Sequence, residues 1–121
     1  MSKKTLVLGA STNPSRYAFL AANRLKNAGH DLVLLGNKKG EVAGEKILHQ
    51  FEALPKDIDT VSLYLNPQNQ EPYKEDIVKL KPKRVIFNPG TENPEFENNL
   101  QEAGIETLEA CTLVLLSTGQ F

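Results

Sequence analysis

The 121-residue chain carries 14 Lys or Arg against 15 Asp or Glu, a net charge of −1, with 40% hydrophobic and 24% charged residues. That length suits one domain, residues 1–121, around one continuous core, and the composition excludes a disordered or fibrous chain. Near-neutral charge speaks against nucleic acid as a partner, no apolar run approaches bilayer length, and Met1-Ser2-Lys3-Lys4 lacks secretory-signal character, so a cytoplasmic protein with no membrane partner is expected.

In chain order, short β-type runs alternate with helical patterns. Thr5–Leu8 reads as the first strand, and a helix follows with Asn13-Pro14 at its start, Tyr17, Ala21, Leu25 and Ala28 on one face, and Gly29 as its stop. Asp31–Leu35 is the second strand. The segment from Gly36 to Pro55 is irregular, with at most a short strand or helical turn near Ile47 to Phe51. Thr60–Leu65 and Arg84–Phe87 are the third and fourth strands, separated by a helix that carries Tyr73, Ile77 and Leu80 inward and ends before Pro82. Asn93-Pro94 opens another helix, with Phe96, Leu100 and Ala103 on one face and Gly104 as its stop. Ile105–Leu108 is a weaker fifth strand, and Cys111–Ser117 is a buried terminal helix. Near-continuous apolar strands separated by helices predict an α/β domain with a mostly parallel five-stranded sheet and helices on both faces.

In such a sheet, ligands bind beyond the carboxyl ends of the strands, where the strand order reverses. The first such loop holds Gly9 and Ala10, whose small size lets backbone approach a ligand, and then Ser11, Thr12, Asn13, Ser15 and Arg16. An anion there meets free N–H groups and the positive end of a helix dipole, and Arg16 adds a charge-assisted bond. The full Gly-x-Gly-x-x-Gly fingerprint is absent, because Ser11 and Pro14 replace its later glycines. The second loop offers Asn37, Lys38 and Lys39 where an NAD site usually places an acid, so it suits a phosphorylated ribose, the 3′-phosphate of coenzyme A or the 2′-phosphate of NADP. Asn66 and Asn88, each before a proline, and Gly90 complete the loop set with groups that position a ligand without titrating. The positive field lies in the same half of the chain: residues 1–46 hold eight Lys or Arg against three acids, while every charged residue after Arg84 is a glutamate.

Catalytic signals are sparse. His30 falls at the end opposite the predicted site, and His49 lies in the irregular crossover with no evident partner. The single cysteine, Cys111, rules out an intrachain disulfide or a cysteine-based zinc cluster and reads as a buried, inert thiol. No metal-ligand spacing, paired-carboxylate constellation or nucleophile elbow is present, so no catalytic or metal-binding residue is assigned.

Val7-Leu8-Gly9-Ala10-Ser11, Asn13-Pro14, Arg16, Asn37, Asp59-Thr60-Val61, Asn88-Pro89-Gly90 and Glu109-Ala110-Cys111-Thr112 together resemble the small single-domain coenzyme A-binding proteins, related to the nucleotide-binding domain of the succinyl-CoA synthetase α subunit. The resemblance implies a Rossmann-like three-layer domain with coenzyme A as cofactor, held through Gly9, Ala10, Ser11, Asn13, Arg16, Asn37, Asn66, Asn88 and Gly90, with its adenosine part near the second-strand loop. Lys38 and Ala18 depart from the family's usual proline and serine. The synthetase's phosphohistidine belongs to a domain this chain lacks, so the resemblance implies a ligand and no reaction. The expected function is coenzyme A or acyl-CoA binding by a carrier, sensor or regulatory module. Its rivals are an NADP-linked enzyme, a thiol-dependent enzyme using Cys111, and an interaction module with a vestigial nucleotide loop whose tail, Leu113 to Phe121, forms a homodimer contact.

Overall fold

The structure is a computed structural model that describes residues 2–121. Seven strands form one sheet in the order β3-β4-β2-β1-β5-β6-β7: β1 (Thr5–Leu8), β2 (Leu32–Leu35), β3 (Glu41–Val42), β4 (Glu45–Leu48), β5 (Thr60–Leu63), β6 (Arg84–Phe87) and β7 (Glu106–Glu109). Every pairing is parallel except β3 with β4. The helices are α1 (Tyr17–Asn27), α2 (Pro67–Gln70), α3 (Lys74–Leu80), α4 (Pro94–Glu102) and α5 (Thr112–Ser117), with single 3-10 turns at Phe51–Ala53 and Glu71–Tyr73. Among the described residues no helix is long and apolar enough to cross a membrane.

Alternation along the strands builds two cores. Leu6, Leu8, Val61, Leu63, Val85 and Phe87 face α3 and α4, where they meet Ile77, Phe96 and Leu100. Val7, Leu32, Leu34 and Ile47 face the other way, against Ala18, Ala22 and Leu25 of α1. The small side chains of α1 let it sit close on the sheet. The result is a Rossmann-like three-layer α/β fold.

The sheet has seven strands where five are expected from the sequence. The additional pair is the β3–β4 hairpin inside the irregular Gly36–Pro55 segment, turned by Ala43 and Gly44 at φ 53° and 82°. Two positive φ values in a two-residue loop match the twist of a hairpin. With one strand of two residues and only Val42 and Ile47 buried, this stretch is too short to show a period in the sequence.

Helix starts divide into two kinds. Asn93 caps α4 as expected, its Oδ1 accepting from Phe96 N–H at 3.3 Å with Pro94 in the first turn. Asn13-Pro14 forms a separate turn, in which Asn13 Oδ1 accepts from Ser15 N–H at 3.0 Å and from Ser15 Oγ at 2.7 Å, and α1 begins three residues later than Pro14. The terminal helix is present but less buried than its composition implies: Thr112 alone is enclosed, and Val114 is 55% exposed.

At the sheet end away from the later site, Phe121 O accepts from Lys3 Nζ at 2.6 Å and Arg84 Nη2 at 2.7 Å. The Phe121 ring lies 4.9 Å from His30, whose Nδ1 accepts the Lys3 N–H at 3.0 Å. His30 is thereby a structural residue at the opposite pole, as its place before β2 implies.

Candidate functional site

The chain first builds outward from β1 through β2 to the hairpin, then returns across β1 to lay down β5, β6 and β7. Strand order therefore reverses at β1, which pairs with both β2 and β5. Loops leaving the strands part there, and they enclose a cleft of about 520 Å³, within the usual range for small-molecule sites.

Gly9 makes the turn out of β1. Its φ is +96°, and a Cβ would stand 3.1 Å from Leu65 Cδ2 and 3.2 Å from the Tyr64 backbone, so a side chain there is strained by the backbone conformation and crowded by its neighbours. The N–H groups of Gly9 and Ala10 both donate to Leu35 O at 2.9 Å and are unavailable to a ligand. Further along, the N–H groups of Ser11 and Thr12, and those of Tyr17 and Ala18 at the first turn of α1, have no intramolecular acceptor among the described residues. These four donors, with the positive end of α1 behind two of them, are the polar groups of the loop that the fold leaves unsatisfied.

The second loop folds tightly onto the first. A Cβ at Gly36 would lie 2.6 Å from Ala10 O, and one at Gly40 2.6 Å from Thr12 Cγ2. His49, without an evident partner in the sequence, supports this loop from outside, its Nδ1 lying 2.9 Å from Gly36 O. Asn37 and Lys38 line the cleft with Arg16, whereas Lys39 and Thr12 do not. Among the described residues Arg16, Lys38 and Lys39 make no ion pair, since the four ion pairs present use Lys4, Lys26, Lys74 and Lys83. Cationic charge is thus available at this wall.

The opposite wall is uncharged and amide-rich. Asn66 lines the cleft while its Oδ1 caps α2 by accepting from Asn69 N–H at 2.9 Å. Gly90 lines it at φ +94°. Asn88 does not reach the cleft. Its amide is 1% exposed and fully engaged, donating to Ser62 Oγ at 3.0 Å and Leu63 O at 2.9 Å and accepting from Thr112 N–H at 2.8 Å. Asn13 and Ser15 bond to each other and shape the first loop without lining the cleft.

Several residues that build the cleft carry no motif in the sequence. Behind the lining, buried Gln70 joins the β5 and β6 loops, its Nε2 donating to Leu65 O and Thr91 O, both at 2.8 Å, while its Oε1 accepts from Asn93 Nδ2 at 2.9 Å. Tyr17, Tyr64 and Tyr73 line the site itself. The Tyr64 hydroxyl is buried without a hydrogen-bond partner, and burial pushes its pKa up to about 12, so it is no base near neutral pH. Cys111 is half-buried at the start of α5 and lies outside the cleft lining. Among the described residues no group of His, Cys, Asp and Glu could hold a metal ion. The arrangement can bind an elongated anion whose charged end meets the β1 and β2 loops and whose neutral end meets amides.

Among curated proteins no relative matches this chain. The crystal structure of an uncharacterized protein superposes with a TM-score of 0.96 at 55% identity, covering 100% of this chain and 99% of that one. The protein ID.343 from Thermus thermophilus aligns with a TM-score of 0.88 at 27% identity over 99% of this chain and 91% of its own. A hypothetical protein from Pyrococcus horikoshii OT3 reaches 0.88 at 29% identity over 97% and 83%. Aspartate semialdehyde dehydrogenase II from Vibrio cholerae, 12% identical with a TM-score of 0.55, shares the fold alone. The family model described as CoA binding domain matches residues 3–117, which takes in every loop of the cleft, and the chain belongs to that CoA binding domain family.

Proposed function

We propose that this protein binds coenzyme A or an acyl-CoA in the cleft at the β1/β5 switch point and acts as a non-catalytic carrier, sensor or regulatory module, with residues 1–121 as one domain. One observation carries the reading: the unpartnered N–H groups of Ser11, Tyr17 and Ala18 belong to residues that line the same cleft as the unpaired cations Arg16 and Lys38, and that cleft holds no carboxylate. Gly9, where a Cβ would fill the turn, and the free donors beyond it fit a phosphate ester. Coenzyme A would supply phosphate groups at one end and a thiol at the other. Ser11, Arg16 and the free N–H groups of Tyr17 and Ala18 would hold the diphosphate, Asn37 and Lys38 the phosphorylated ribose, and Asn66 and Gly90 the amide-bearing arm, while Thr12 packs against the second loop. Gly9, Ala10, Asn13 and Ser15 shape the loop.

Calorimetric titration with coenzyme A, dephospho-coenzyme A and NADP tests this directly. Tightest binding of coenzyme A is expected, and absence of binding at millimolar concentration would refute the reading.

A further inference from the structure

All three tyrosines of the chain line the cleft, and they stand in different states. Tyr64 has its hydroxyl buried without a hydrogen-bond partner. Tyr73 packs its ring on Phe51 with centroids 5.7 Å apart and turns its hydroxyl toward Asn37 Oδ1 at 3.5 Å. Tyr17 is 70% exposed, and among the described residues its ring has no aromatic neighbour and its hydroxyl no hydrogen-bond partner. The packing of α1 on the sheet does not need it, because Ala18, Ala21, Ala22 and Leu25 make that contact. A large ring left in water at the mouth of a cleft is a surface that a ligand can cover.

What the ring can cover follows from its neighbours. Tyr17 adjoins Arg16, its own N–H is one of the free donors, and Lys38 lines the same cleft. A phosphate held there places a nucleoside base within one sugar of the ring. A base is also the flat π group that an aromatic face attracts, whereas a chain of amides and methylenes offers none.

Resting on the assignment of a coenzyme A-class ligand to this cleft, we infer that Tyr17 is the stacking platform for the adenine ring. It then determines specificity for a purine nucleotide over the same phosphates without a base. The phenol ring does the work and the hydroxyl is dispensable.

The test titrates the wild type, Tyr17→Ala and Tyr17→Phe with coenzyme A, adenosine 3′,5′-bisphosphate and 4′-phosphopantetheine. Tyr17→Ala is expected to bind the first two about fivefold or more weakly and 4′-phosphopantetheine unchanged, the range that alanine substitution of a base-stacking ring produces. Tyr17→Phe is expected to bind all three as the wild type does. Because the chain has no tryptophan, tyrosine emission is readable, and quenching by the bisphosphate should fall sharply in Tyr17→Phe while its affinity holds. Unchanged bisphosphate affinity in Tyr17→Ala, or an equal loss for 4′-phosphopantetheine, overturns the platform while leaving coenzyme A binding intact. Failure of the wild type to bind coenzyme A removes both.

Discussion

Asn88→Ala separates a residue that holds the site together from one that touches a ligand. The substitution withdraws the acceptor of Thr112 N–H and a donor to Leu63 O, both in fully buried residues, while Ser62 Oγ keeps its 2.8 Å bond to Thr112 Oγ1. A buried polar group left unsatisfied costs about 1–3 kcal/mol. Two such groups amount to about 2–6 kcal/mol, a large part of the roughly 5–15 kcal/mol that stabilises a domain. Urea unfolding should show a lowered midpoint with an unchanged slope, since the surface exposed on unfolding stays the same. Coenzyme A affinity, measured on the folded fraction at low temperature, should fall by less than about tenfold, equivalent to 1.4 kcal/mol. A stability loss below about 1 kcal/mol together with a larger affinity loss would show Asn88 to be a ligand contact, against its three internal bonds.

Arg16→Ala should weaken coenzyme A and dephospho-coenzyme A alike, whereas Lys38→Ala should remove most of the preference for the 3′-phosphate and Lys39→Ala little of it, as competition titrations of the three variants would show. Gly36→Ala brings a Cβ to 2.6 Å from Ala10 O, backbone against backbone, and should cost about 1–3 kcal/mol in urea unfolding and weaken binding by opening the two loops; wild-type stability would contradict that contact. His30 is held below its usual pKa by burial first, then by Lys3 and Arg84, with Asp31 opposing, and its Nδ1 must stay unprotonated to accept the Lys3 N–H. The unfolded chain therefore binds the extra proton, so this contribution is present above about pH 6.5 and is lost as pH falls through the lower folded value. Unfolding midpoints between pH 7 and pH 5 should decline less steeply in His30→Gln than in the wild type.

Strand and helix identity was legible because each long element carries its own local signal. Three apolar residues in a row mark β1 and β6, and an Asn-Pro pair marks the start of α4. The same pair at Asn13-Pro14 misplaces the start of α1, because a side-chain cap and a free-standing Asx turn use the same atoms, and only the following residues' path distinguishes them. The hairpin was illegible for want of length. The place of Arg16, Asn37 and Lys38 in the cleft lining follows from their strand ends, but the engagement of Asn88 and the spent N–H groups of Gly9 and Ala10 depend on partners that lie far away in the chain.

By itself the sequence determined an α/β chain, the loops that follow its parallel strands, and the excess of positive charge in the half that holds the first two of them. Tertiary structure decided which polar groups in those loops remain free. Leu35 takes the first two N–H groups of the cradle, Ser62, Leu63 and Thr112 absorb the Asn88 amide, and Tyr17 is left uncovered while Tyr64 is enclosed. A hydrogen-bonding group can bind a ligand only if the fold has not already satisfied it, and that is set by neighbours in space rather than in sequence.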